Sequence, residues 1–140
     1  MKIKIVFPNF KTDIKNLKDF EYSLGYVEII NGKSKFSFFQ KSLCMVFLTL
    51  QDLVGIINKL KLKENDSLKW IGVDNGFAFN IQFKDEDILF TGNDFVLNLK
   101  YLDFNNALKK GFNDLLKKII KYNPEMLKQD YIIEFKTLID

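Results

Sequence analysis

The chain has 140 residues, a formal net charge of +3, 47% hydrophobic residues and fifteen Phe. That is enough for one domain with a substantial core and too apolar for a disordered chain. All 21 cationic side chains are Lys and there is no His, which removes the usual neutral-pH proton shuttle, the commonest metal ligand and the two-pronged arginine clamp, and with them Ser-His-Asp and Cys-His catalysis.

Lys2–Phe7 alternates Lys with Ile and predicts a strand, stopped by Pro8. This N-terminus lacks the apolar h-region and small-residue cleavage site of a signal peptide. The longest unbroken apolar run, Leu43–Leu48, falls far short of the ~20 residues of a membrane span. A soluble cytoplasmic protein without a membrane partner is expected. Residues 9–21 carry sparse anchors (Phe10, Ile14, Leu17) whose spacing fits a short helix or a structured loop.

Tyr22–Ile30 and Lys33–Gln40 flank Asn31-Gly32, a type I′ hairpin signal because both central residues of that turn need positive φ. Phe36 and Phe38 share one face of the second arm. The run Ser42–Leu48 is expected to extend the sheet. Thr49 then reads as a helix N-cap with Asp52 three residues on, close to a capping box. Leu50, Leu53, Val54, Ile57 and Leu60 follow at helical spacing and predict an amphipathic helix over Leu50–Lys61.

Ser67–Val73, Asp74-Asn75-Gly76 and Phe77–Lys84 predict a second hairpin, with Phe77, Phe79, Ile81 and Phe83 on one face and Ala78, Asn80 and Gln82 on the other. Asp85-Glu86-Asp87 turns the chain into Ile88–Thr91, and Gly92-Asn93 leads into Phe95–Tyr101. Asp103 is placed to cap a helix over Phe104–Tyr122 with the apolar stripe Phe104, Leu108, Phe112, Leu115 and Ile119. Asn123-Pro124 starts a last segment, read as helix in preference to a strand at Tyr131, Ile133 and Phe135. The expected fold is a single α+β domain over 1–140: an antiparallel sheet of about six to seven hairpin-built strands, with two to three helices packed on it.

Residues 66–98 hold six acids and two Lys, between two lysine-rich ends. Asp85, Glu86 and Asp87, with Asp74 and Asp94 at neighbouring strand ends, are the main concentration of carboxylates. They lack the Gly-punctuated Asp-x-Asp-x-Asp spacing of a calcium loop. They read either as solvated turn residues or as a surface for a basic partner, which would steer association more than add affinity. Trp70, beside Lys69, is a core residue or an interface anchor. The lone Cys44 reads as a small buried hydrophobe. The lysine face Lys109, Lys110, Lys117, Lys118 and Lys121 is interrupted by Asp114 and reads as a solvated helix face, so nucleic acid is not expected as a partner. Gly-rich phosphate loops, G-x-S-x-G, C-x-x-C and H-E-x-x-H are absent. No catalysis, metal or cofactor is expected.

The early hairpin ending in Lys33–Gln40, the helix Leu50–Lys61, the segment Leu68-Lys69-Trp70-Ile71-Gly72, Phe77–Phe83, Asp85–Thr91 and the helix after Asp103 form a recognisable order of elements. In that order, over roughly residues 20–120, the chain resembles the small cytoplasmic immunity proteins of bacterial polymorphic-toxin and contact-dependent growth-inhibition systems. The resemblance implies a non-enzymatic inhibitor that binds one cognate toxin domain and occludes its active surface. It transfers no functional residue, because no motif matches position by position. The surface expected to meet the partner is Trp70, Asp74, Asp85, Glu86, Asp87 and Asp94. A small-molecule- or lipid-binding α+β module, its helices and sheet enclosing an apolar pocket, and a non-catalytic adaptor subunit are the alternatives.

Overall fold

The computed structural model describes residues 1–39, 43–63, 67–71 and 78–140. It is α+β, with eight strands among the described residues in two four-stranded antiparallel sheets. The first sheet contains β1 (Lys2–Val6), β2 (Leu24–Asn31) and β3 (Ser34–Phe38) in that order, with the short β4 (Cys44–Met45) paired to the start of β2. The second is a meander of β5 (Ser67–Ile71), β6 (Ala78–Lys84), β7 (Asp87–Thr91) and β8 (Val96–Lys100). The single sheet expected from the sequence is therefore two. The hairpin signals are local and fix neighbours within each sheet. What separates the sheets is α2 (Val46–Leu62), the helix inserted between β4 and β5.

No strand of one sheet pairs with a strand of the other among the described residues. Side chains join them. The ring of Phe38 on β3 lies 5.5 Å from Phe79, 5.6 Å from Phe90 and 6.1 Å from Phe95, within the range of favourable aromatic pairs. Phe39 adds to this seam in an unusual way. Successive strand residues point to opposite faces, yet Phe38 and Phe39 are both 2% exposed. Phe39 leaves the strand with φ +69°, which turns its ring back inward, 5.9 Å from Trp70. Two long helices complete the join. α2 packs on β2 and β6, while α3 (Tyr101–Tyr122) packs on β1 and β8, so each touches both sheets. α4 (Asp130–Ile139) packs against α2 and α3, and the short α1 (Phe10–Asp13) sets Phe10 against Phe20 and against Tyr122 at the end of α3. The last segment is helix, as its cap-and-Pro start predicts, after a 3-10 turn at Pro124–Lys128.

Three boundaries move, each for a physical reason. Asn31 stays in the ladder opposite Ser34, so the first turn is Gly32-Lys33. Gly32 alone has positive φ there, at +63°, the arrangement of a turn with Gly at its first central position. Val46, Phe47 and Leu48 belong to α2 rather than to a strand; a short apolar run fits a buried helix as well as a strand. Asp103 lies in the first turn of α3, whose N-cap is Lys100. There its charge complements the helix dipole without capping. The turn expected at Asp74-Asn75-Gly76 lies outside the described residues.

The longer α2 strands the expected cap. Thr49 is inside the helix, 1% exposed, and its hydroxyl has no hydrogen-bond partner. A buried polar group left unmatched costs about 1–3 kcal/mol. Asp52, its expected capping partner, instead accepts a hydrogen bond from the Trp70 indole N–H at 2.7 Å. Thr49→Val keeps the shape and removes the orphaned hydroxyl, so urea unfolding should report a gain of about 1 kcal/mol with unchanged slope. A loss of stability would contradict this.

Candidate functional site

The helices occupy one face of the second sheet. Phe79, Ile81 and Phe83 of β6, Ile88 and Phe90 of β7 and Leu99 of β8 point toward them, each 3% exposed or less. Among the described residues nothing covers the other face. Register places Ser67, Gln82, Leu89 and Asn98 in one row across the four strands, and Lys69, Asn80, Thr91 and Val96 in the next. Lys84, Asp87 and Lys100 form a third row across β6, β7 and β8. None of these eleven side chains is buried. With strands about 4.8 Å apart and a rise of about 3.4 Å per residue, the platform measures roughly 300 Å². It is amide- and lysine-rich and carries no aromatic ring on those rows, so it lacks the stacking surface of single-stranded nucleic-acid binders.

The acidic residues singled out in the sequence do not gather on this face. Asp85 and Glu86 form the β6–β7 turn at one end of the sheet, and Asp94 lies in the β7–β8 loop at the other. β7 separates them; its five residues span about 17 Å. Asp87 is the one carboxylate on the platform, and it is paired across the strands with Lys100 at 3.3 Å. The platform itself carries Lys69, Lys84 and Lys100 against that single acid. The expected acidic surface is thus a basic, polar face with acidic ends, because turns and strands distribute the charges that sequence proximity lumps together. Asp74 lies outside the described residues.

Trp70 is corrected outright as an interface anchor. It is 1% exposed, 4.9 Å from Phe79 and tied to α2 through Asp52. Burying the largest side chain with its one donor satisfied makes it a core post. The sequence reading places Asn80 and Gln82 outward without singling them out. Only the register, which brings Thr91 and Asn98 beside them, reveals a continuous face.

No cluster of three or more metal-ligating side chains occurs among the described residues, and no described helix is long and apolar enough to cross a membrane. In the interior beside Phe38, Ile3, Val27 and Leu53 among others leave a cavity of about 10 Å³, room for no more than one water, while a larger apolar groove of about 420 Å³ lies between the end of α2 and β5, lined by Ile56, Leu60, Leu62 and Leu68. Compared with known protein families, curated proteins and solved structures, the chain matches none.

The acidic turn stores strain. Asp85 and Glu86 both have positive φ, 49° and 66°, the geometry of a two-residue type I′ turn that favours Asn-Gly. The left-handed conformation costs a non-glycine residue about 1–2 kcal/mol. It is held by flanking ladder pairs and by the Glu86 carbonyl, which accepts the Tyr101 N–H at 2.8 Å at the start of α3. Glu86→Gly relieves the strain and keeps that carbonyl, so its urea midpoint should rise by up to ~1 kcal/mol of stability after the ~0.5–1 kcal/mol of added chain entropy. Glu86→Val, β-branched at positive φ, should lower it. The opposite order in denaturation would contradict the turn assignment.

Proposed function

We propose that this chain is a binding protein without catalytic activity, an immunity protein that neutralises a cognate bacterial toxin domain in the cytoplasm by covering its active surface. The observation that carries the reading is the uncovered face of the second sheet, a rigid polar platform backed by a close-packed aromatic core. Its roughly 300 Å² is less than half of the ~800 Å² per partner of a stable interface. The turns at its two ends must therefore join it. This gives the acidic residues Asp85, Glu86 and Asp94 a role at the rim, where charge sets orientation and association rate. The Lys-only chemistry, with no His, fits a protein selected to bind.

The test begins with the gene neighbour. A large secreted protein with a variable C-terminal domain is expected beside this chain. That domain expressed alone should arrest growth, and co-expression of this chain should restore it through a 1:1 complex. Neutralising Asp85, Glu86 and Asp94 together should slow association about tenfold at low salt and flatten its salt dependence. Absence of such a neighbour, growth arrest that this chain fails to relieve, or failure to form the complex would overturn the proposal. An on-rate unchanged by neutralisation would overturn its electrostatic part.

A further inference from the structure

A groove of about 450 Å³ lies where α1 meets the end of α3, lined by Lys11, Ile14, Lys15, Tyr122 and Asn123. Phe10 builds this corner. Its ring is buried, packs edge-on against Phe20 at 5.8 Å and meets the Tyr122 ring at 5.6 Å and 77°, which ties α1 to α3. Ile14, also buried, closes the bottom. The Ile14 N–H donates to the Phe10 carbonyl at 2.9 Å and the Lys15 N–H to the Thr12 carbonyl at 3.4 Å. The chain thus stays coiled past α1 and presents Lys11 and Lys15 to the same groove, one turn apart.

Both lysines are exposed, and neither pairs with a carboxylate among the described residues. Lys118, one turn before Tyr122 on α3, holds its ammonium 4.1 Å over the Phe10 ring and adds a third positive charge at the same corner. No described acid lines the groove. The C-terminus of α3 brings about half a negative charge there, which three ammonium groups outweigh. On the α3 side Tyr122 is 49% exposed, and the Asn123 side-chain amide has no hydrogen-bond partner among the described residues. A cationic wall therefore meets an aromatic and amide wall. The volume falls within the ~300–1,000 Å³ of small-molecule sites. The five lining residues are far fewer than the ~20–30 a side of a stable protein interface. These features select a small anion that carries a flat ring.

We propose that this groove binds a free nucleoside diphosphate, its phosphates held by Lys11 and Lys15 and its base laid on the exposed ring of Tyr122. Ammonium groups hold phosphate as point charges, so the contact does not need the arginine fork that this chain lacks. Stacking on a tyrosine tolerates any base, because every base has a π-face. The Asn123 amide both donates and accepts, and it is the group placed to tell one base edge from another. The groove shares no residue with the platform on the second sheet, so this proposal stands or falls independently of the toxin-binding reading.

The test titrates the full chain with ADP at low salt, free of divalent cations, and follows backbone amides by NMR. The signals of residues 11–15 and 122–123 should move and saturate with a Kd under ~1 mM. On the unaltered protein, pyrophosphate and adenosine should each bind at least tenfold more weakly than ADP, an arm that needs no variant to fold. Lys11→Gln combined with Lys15→Gln should weaken ADP at least tenfold, with the urea midpoint unchanged because both side chains are exposed. Tyr122→Leu should weaken ADP and leave pyrophosphate as it was. The proposal is overturned by the absence of saturable shifts, by shifts confined to the second sheet, or by pyrophosphate or adenosine binding as tightly as ADP. Tighter binding to phosphatidylglycerol vesicles than to ADP would overturn it as well.

Discussion

Phe38 stands where two sheets meet that share no hydrogen-bonded strand pair among the described residues, and its ring touches Phe79 and Phe90 of the opposite sheet and Phe95 just before that sheet's last strand. Everything else in the architecture depends on that seam. A sheet must bury one face, and here the inner faces of both sheets are spent on each other and on α2 and α3. Interiors are packed near crystal density, and the residual cavity of about 10 Å³ beside Phe38 agrees with that. The strained φ of +69° at Phe39 is tolerated because it delivers one more ring to the same seam. With the inner face committed, the outer face is the broad surface that the second sheet leaves exposed among the described residues.

Local patterns in the sequence carry much of this fold. The alternation of Phe79, Ile81 and Phe83 and the stripe Phe104, Leu108, Phe112, Leu115 and Ile119 name residues that are all buried, because each records the geometry of a single element. The split into two sheets is not local. Phe36 and Phe38 visibly share a face of β3, but nothing in their spacing says that the face meets β6 and β7 rather than a helix. The start of α2 is hidden for another reason. Val46-Phe47-Leu48 is apolar all round, and Thr49 with Asp52 imitates a capping box inside the helix, where Asp52 serves Trp70 instead.

The candidate surface was less legible. Asp85, Glu86, Asp87 and Asp94 are close in sequence, and the antiparallel meander sends them to opposite ends of the sheet. Asp87 is moreover tied to Lys100, thirteen residues away in the chain. The face itself carries amides, hydroxyls and lysines around Leu89 and Val96, with Asp87 at one end. Trp70 shows the limit of composition arguments. A lone Trp beside a Lys favours the core without excluding an interface until its neighbours are known, and Phe39, Phe79 and Asp52 decide for the core.

The central claim is that the outer face of the second sheet is the binding surface. Leu89 is at its middle, between Gln82 and Asn98, and points away from the core. The most direct measurement is the affinity of Leu89→Glu for the proposed toxin partner, with circular dichroism confirming an unchanged fold. A central hot spot predicts binding weaker by at least ~30-fold, the equivalent of about 2 kcal/mol. Affinity within about twofold of the unaltered chain would contradict the account.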